Sequence, residues 1–237
     1  QVKALGVPQW NCGFNIWNKG DTEFTYYPGS PDGIIFPSPC KIPLTEHPIF
    51  KRFDASRNRG DELLIYEKEG EIQEDHYRYM LSLPGVDELL QSMLDAGFEL
   101  PTFQIDHVAN FKYGNMIFIT YKHFPEMHDV FKRFAKVFEQ TYTRFLDLQK
   151  AEAQAREAQI EAALERVRAA SMAMHRSEEL SSVAFVLYEQ LRNLGENLWG
   201  TGFGFCTENS KEDLFWFANE NGILPPVFVP HTKDPAH

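Results

Sequence analysis

The sequence predicts an α+β protein: an antiparallel sheet with helices packed on it, then one long helix, then the start of a second copy of the first fold. Three observations predict this. Apolar and polar residues alternate with period two in several short segments of the first 121 residues. No glycine or proline occurs between Pro125 and Gly195. An internal repeat joins the two ends of the chain: Gln1, Leu5, Gly6, Trp10, Gly13 and Phe14 recur as Gln190, Leu194, Gly195, Trp199, Gly202 and Phe203, always 189 positions on.

The strands come first. Trp10, Cys12, Phe14 and Ile16 alternate with Asn11, Gly13, Asn15 and Trp17, which places Cys12 and Phe14 on one face of a strand. Asn18 to Asp21 reads as a turn, and Phe24 to Tyr27 as a returning strand. Pro28 to Pro39 is rich in proline and glycine and reads as a loop; Cys40 to Leu44 is a candidate third strand. Thr45 is a candidate cap for a helix carrying Ile49, Phe50 and Phe53. Leu63 to Tyr66 is a short apolar strand. Glu71 to Leu83 and Val86 to Ala96 read as helices separated by Pro84–Gly85. Phe103, Ile105, His107 and Ala109 alternate with polar neighbours, and Met116 to Tyr121 returns beside them.

From Pro125 the period changes. Phe131, Phe138 and Phe145 are seven apart, with Phe134 and Leu148 on the intervening seam, each three residues after one of them. Ile160, Val167 and Met174 repeat the spacing, accompanied by Leu164, after a phase shift across the Ala- and Glu-rich stretch 151–158. Heptads flanked by Glu, Arg and Gln predict a dimerising coiled coil, weakest where alanine fills the seam. Ser177–Glu178–Glu179 marks a helix start, with acidic residues where the helix dipole favours them. A second block of the repeat, Pro43, Thr45 and Pro48 matching Pro230, Thr232 and Pro235, is offset by 187. The expected organisation is a first domain over 1–124 without its first helix, a dimerisation helix over 125–176, and the N-terminal part of a second domain over 177–237. This reads as an excerpt of a longer polypeptide whose output domain lies elsewhere.

Composition narrows the function. The 237 residues are 43% apolar and carry a net charge of −11. An acidic chain without a basic block does not suit nucleic acid or an anionic membrane surface. No apolar run approaches the length of a membrane span. The three cysteines, Cys12, Cys40 and Cys206, lack CxxC spacing and point to reduced thiols in the cytoplasm.

The segment FKRFAKVFEQTYTRFLDLQKAEAQAREAQIEAALERVRAASMAMHRSEE, residues 131–179, closely resembles the linker helix of bacterial multi-domain sensor proteins. In these, GAF-like domains stand in tandem ahead of a histidine kinase or a similar output module. The PLTEHPIFKRF and HYRYMLSLPG segments resemble the same family's domains. The resemblance implies a GAF-like fold, a tandem arrangement and signal relay along paired helices. No glycine-rich nucleotide lid and no H-box followed by proline occurs here, so the family's enzymatic activity does not extend to these residues.

The remaining chemistry candidates are few. His107 lies on the apolar register of its strand and is a candidate pocket residue, with Tyr77 and Tyr79 on the aromatic stripe of a helix. Each reads more simply as core. Cys12 and Cys40 suit small buried apolar positions better than tetrapyrrole attachment or haem ligation. His175 stands where a phosphoacceptor would need to stand, but reads as a polar residue at a helix junction. His123 and His128 are poorly spaced for a metal, and no cofactor is indicated. The acidic runs around Glu67, Glu69 and Glu71 read as solvated faces. The sequence therefore predicts a non-catalytic sensory and dimerisation module. Its partners would be a second copy, an output domain of the same polypeptide and a small-molecule ligand. Its rivals are a metabolite-binding domain with the helix as passive spacer, an enzyme using His107 with an acidic residue, and a domain pair serving only to dimerise.

Overall fold

Six strands alternate in the first unit so that both faces of one sheet need cover. They are β1 (Gln9–Trp17), β2 (Glu23–Pro28), β3 (Cys40–Pro43), β4 (Leu63–Glu69), β5 (Phe103–Phe111) and β6 (Gly114–Thr120). They pair antiparallel in the order β3-β2-β1-β6-β5-β4. The computed structural model describes residues 6–7, 9–18, 20, 22–29, 39–205 and 211–230. The expectations on Gln1, Leu5, Cys206, Thr232, Pro235 and residues 30–38 lie outside the described residues. The chain divides into two units, 1–145 and 146–237.

One face of the sheet is covered by α1 (Pro48–Arg59), α2 (Gly70–Met80) and α3 (Val86–Asp95). Their apolar stripes, among them Phe50, Phe53, Tyr77, Val86, Leu90 and Met93, meet Phe24, Ile42, Val108, Ile117 and Ile119 of the strands. The cap of α1 is His47, not Thr45. Its Nδ1 accepts from the Ile49 N–H at 3.3 Å, and Pro48 takes the first helical position, where its missing N–H is not needed. β4 runs on past Tyr66 to Glu69, so the acidic run there is partly strand. Trp10 leaves the face it was expected to share with Cys12 and joins the α1–α3 side. A register shift between Gln9 and Asn11 turns the strand at that point.

The other face of the sheet is covered by the first turns of α4 (His128–Met172), which follows a 3₁₀ turn over Pro125–Met127. Phe131 is fully buried and lies on Phe118, with Phe134, Ala135 and Phe138 beside it against Phe111 and Phe14. The connection after β6 is short and this face presents a large aromatic surface. The helix therefore closes on its own sheet, and the seam positions Phe131, Phe134 and Phe138 are occupied by intramolecular packing. Phe145 and Leu148 remain about half exposed.

In the second unit the rest of α4 lies antiparallel to α5 (Leu180–Asn193), joined through a 3₁₀ turn at Ser177–Glu179. Arg156 donates to the Leu194 carbonyl at 2.7 Å and Arg166 to Gln190 Oε1 at 2.9 Å. Ala163 is buried, and Ile160, Val167 and Met174 are partly buried, while Leu164 is half exposed. The helix thus bends back after Met172 rather than continuing, and His175 sits exposed at the turn. α5 also covers one face of a small sheet, ordered β10-β8-β7, of β7 (Gly200–Phe205), β8 (Glu212–Asn219) and β10 (Val227–Pro230); β9 (Gly222–Ile223) adds to β8.

The repeat at offset 189 has a structural counterpart. Gly13 pairs with Pro28 and Phe14 with Tyr27; Gly202 pairs with Phe217 and Phe203 with Trp216, each partner again 189 further on. Pro43 faces Glu23 as Pro230 faces Glu212. The three-stranded meander therefore recurs in the same register. Both repeated glycines are required sterically, because a Cβ at Gly13 or Gly202 would collide with the facing carbonyl of Tyr27 or Trp216.

Candidate functional site

Strands β1 and β5 are covered on both faces and β4 on the side of α1–α3, so the polar register facing those helices is buried too. That register carries Asn11 and Asn15 on β1, Lys68 on β4, and Gln104 and Asp106 on β5. Between it and helices α1 and α2 lies a cavity of about 50 Å³. Its polar lining is Asn15, Tyr26, Lys68, His76 and Asp106. Its apolar lining is Phe24, Ile42, Phe50, Phe53, Met80, Ile117 and Ile119.

The chemistry centres on Lys68 and Asp106. Lys68 Nζ lies 2.7 Å from Asp106 Oδ2, and both side chains are 1% exposed. Removing two charges from water is unfavourable, and the partners offset this only by holding each other and their remaining hydrogen bonds. Asp106 Oδ1 accepts from Gln104 Nε2 at 3.0 Å. Gln104 Oε1 accepts from Gln73 Nε2 at 2.7 Å and from the Tyr77 hydroxyl at 2.8 Å, and Gln73 is anchored to the Pro101 carbonyl. Burial lowers the Lys68 pKa, and the Asp106 charge opposes that shift. His76 is held well below the ordinary histidine value, first by burial and then by the Lys68 charge, so its imidazole is neutral. Burial raises the Tyr26 pKa and keeps its phenol protonated.

Several polar atoms in this layer meet no protein partner. Asn15 donates to Asn115 Oδ1 at 2.8 Å, yet its own Oδ1 is buried without a donor. His76 Nδ1, Gln73 Oε1 and Asn11 Oδ1 are in the same position, the last although Asn11 Nδ2 donates to the Tyr26 hydroxyl at 2.9 Å. Asp106 Oδ2, by contrast, has the Lys68 ammonium 2.7 Å away. Buried polar groups are normally paired, so this layer is the candidate site for a polar partner.

The internal repeat supplies a comparison. At the positions of Asn11, Asn15 and Tyr26, 189 residues on, stand Gly200, Gly204 and Phe215, paired in a strand hairpin of the same register. The meander forms without the polar side chains, so the fold itself does not demand them.

The residues expected to line a pocket are divided between the two sides of the sheet, and none lines this cavity. Cys12, Phe14 and His107 belong to the α4 side. Phe14 stacks on Tyr27, with centroids 4.8 Å apart. His107 is fully buried, with Nε2 3.0 Å from Thr120 Oγ1 and its ring against His128 and Phe131. Burial and the neighbouring His128 push its pKa down to about 4. Tyr77 belongs to the cavity side but anchors Gln104 from behind. Tyr79 is half buried, donates to Glu46 Oε2 at 2.9 Å and packs on the His47 ring, its pKa pushed up to about 12 by burial and that carboxylate. Cys40 is buried in the α1–α3 core. His123 pairs with Glu67 at 3.2 Å, and His128 faces His107. Among the described residues no three His, Cys, Asp or Glu side chains gather as a metal site. No helix among them is long and apolar enough to cross a membrane.

The lining holds no serine, threonine or cysteine to act as nucleophile, and its lysine is engaged by a carboxylate. The arrangement can bind and orient a small polar molecule against aromatic walls. Compared with known proteins, the chain matches no family model and no curated protein.

Proposed function

We propose that the first unit is a non-catalytic sensing domain whose cavity takes up a small molecule and biases the start of helix α4. One observation carries this reading. Asp106 and His107 are consecutive on β5 and project to opposite faces. Asp106 forms the charged floor of the cavity, while His107 lies against His128 and Phe131 in the first turns of α4. A shift of β5 on occupancy is thereby transmitted to the helix through one peptide unit, and a packed helix–sheet contact responds by repacking.

The resemblance of residues 131–179 to sensor linkers supports a role in relay toward an output domain of the same polypeptide. The exposed Phe145 and Leu148 on α4 support self-association as the form in which the helix acts. On this reading the module is a GAF-like sensory and dimerisation element of a two-component type of signalling protein.

The test is hydrogen exchange of amides 128–140 in the full chain and in Asp106→Asn, which keeps the side-chain shape but removes the charge. Coupling predicts at least a several-fold change in exchange over the first three turns of α4. Unchanged exchange there, with altered exchange confined to β4 and β5, would favour a binding domain with a passive spacer and defeat the relay.

A further inference from the structure

We infer that the molecule taken up by the first unit is small and uncharged, and carries a hydrogen-bond donor beside an acceptor, as an amide or lactam does. The inference rests on the sensing role proposed above and concerns which chemistry the site accepts.

Charge decides against ions. Lys68 and Asp106 compensate each other within the cavity wall, and both are almost completely buried. A third charge would enter a region of low dielectric without a partner. An anion sharing Lys68 would set two negative charges against one buried ammonium. A cation sharing Asp106 would set two positive charges against one buried carboxylate. His76, neutral beside Lys68, offers no compensating charge.

The orphaned atoms decide the hydrogen-bond pattern. Asn15 Oδ1 has no donor, so the wall asks for an N–H or O–H group. Lys68 keeps ammonium protons beyond the one turned to Asp106, so it asks for an acceptor. Demands of opposite sense on the wall of one small cavity are met by a small group that carries both a donor and an acceptor. The remaining wall is apolar, with Phe24 and Phe50 offering ring surfaces to a flat or short-chain body. A cavity of about 50 Å³ holds about four water-sized groups, which limits the ligand to a few heavy atoms unless side chains move.

The experiment uses the full chain and four probes of similar size: acetamide and urea, which are uncharged, acetate, and ethylammonium. Binding is read as saturable NMR shifts, with nuclear Overhauser contacts from the probe to the methyls of Met80, Ile117 and Ile119 fixing the location. The expected result is that the uncharged probes bind at least ten-fold more tightly than the ions and contact these methyls. Asn15→Ala, shown folded by its amide spectrum, should weaken them several-fold. Because the contacts are measured in the unmutated protein, a variant that fails to fold leaves the test intact. If acetate or ethylammonium binds at these methyls as tightly as acetamide, the ligand class is overturned while the sensing role stands. If no probe reaches them at tens of millimolar and only water exchanges there, the ligand class is again overturned. The sensing role is then judged separately by the exchange of helix α4 in Asp106→Asn.

Discussion

Phe131 lies flat on Phe118, their ring centroids 4.2 Å apart and their planes 15° from parallel, with Phe131 fully removed from solvent. This stack ties the first turns of the long helix to the centre of the sheet. Truncating Phe131 to alanine should destabilise the first unit by about 3–5 kcal/mol, the range for a buried aromatic ring that leaves a cavity. Phe145, fourteen residues on and 49% exposed, should tolerate the same change with a loss below about 1 kcal/mol. Urea unfolding followed by tyrosine and tryptophan fluorescence measures both. Equal losses would mean that the helix is held by its whole length rather than by this contact.

The buried pair Lys68–Asp106 should behave as a unit. Lys68→Met leaves a carboxylate alone in the interior and should cost about 3–5 kcal/mol. Adding Asp106→Leu removes the stranded charge and should recover most of that loss, because an apolar pair of similar volume is nearly neutral in stability. The double variant should retain the fold but fail to bind any uncharged polar probe. A double variant less stable than Lys68→Met would show that the pair anchors the fold and is not a site in reserve.

Acid should weaken the fold through its histidines before its carboxylates. His76 and His107 both titrate below the ordinary histidine value in the folded chain, His107 at about 4, with burial the largest cause in each. Well above pH 6.5 neither state takes up a proton at these sites, and stability is independent of them. As pH falls below 6.5 the unfolded chain gains protons that the folded chain refuses, so stability declines toward pH 4. Each histidine contributes at most about 1.4 kcal/mol per pH unit. Below about pH 4 the His107 contribution stops changing. His107→Gln should flatten the slope between pH 6.5 and 4.5 by up to one proton's worth. An unchanged slope in unfolding free energy against pH would exclude His107 as a source.

The sequence displayed the strands and helices because their apolar periods survive without tertiary information. Phe103, Ile105, His107 and Ala109 show β5, and the glycine-free run after Pro125 shows α4. It concealed the site for the same reason. In β5 the alternation marks one face as apolar, and the intervening Gln104 and Asp106 look solvated. Only the packing of α1 and α2 over them makes that register interior. Lys68, between Glu67 and Glu69, reads as part of a charge run. Its cue was that Leu64, Tyr66 and Lys68 share one face of a strand, so a charge at the third position needs a partner. The phenylalanine heptad was real as spacing, but spacing alone does not say whether a neighbouring helix or the chain's own sheet fills the seam. The repeat was the most informative local signal, because its register could be checked pair by pair in the two meanders.

The exposed part of the α4 seam gives the last expectation. Phe145 and Leu148 stand three apart on one helix face, 49% and 54% exposed, beyond the phenylalanines that the sheet has already taken. If two chains associate through this face, Leu148→Glu places two carboxylates against each other at the contact and should shift the chain to monomer. Ala163→Ser, at a buried position between α4 and α5 within one chain, should leave association unchanged. Sedimentation velocity of the full chain at high micromolar concentration reads both. A chain that is monomeric before any substitution would remove self-association from the proposed mechanism. The coupling from Asp106 through His107 to Phe131 would then be a property of a single chain, because every contact in it lies within one copy.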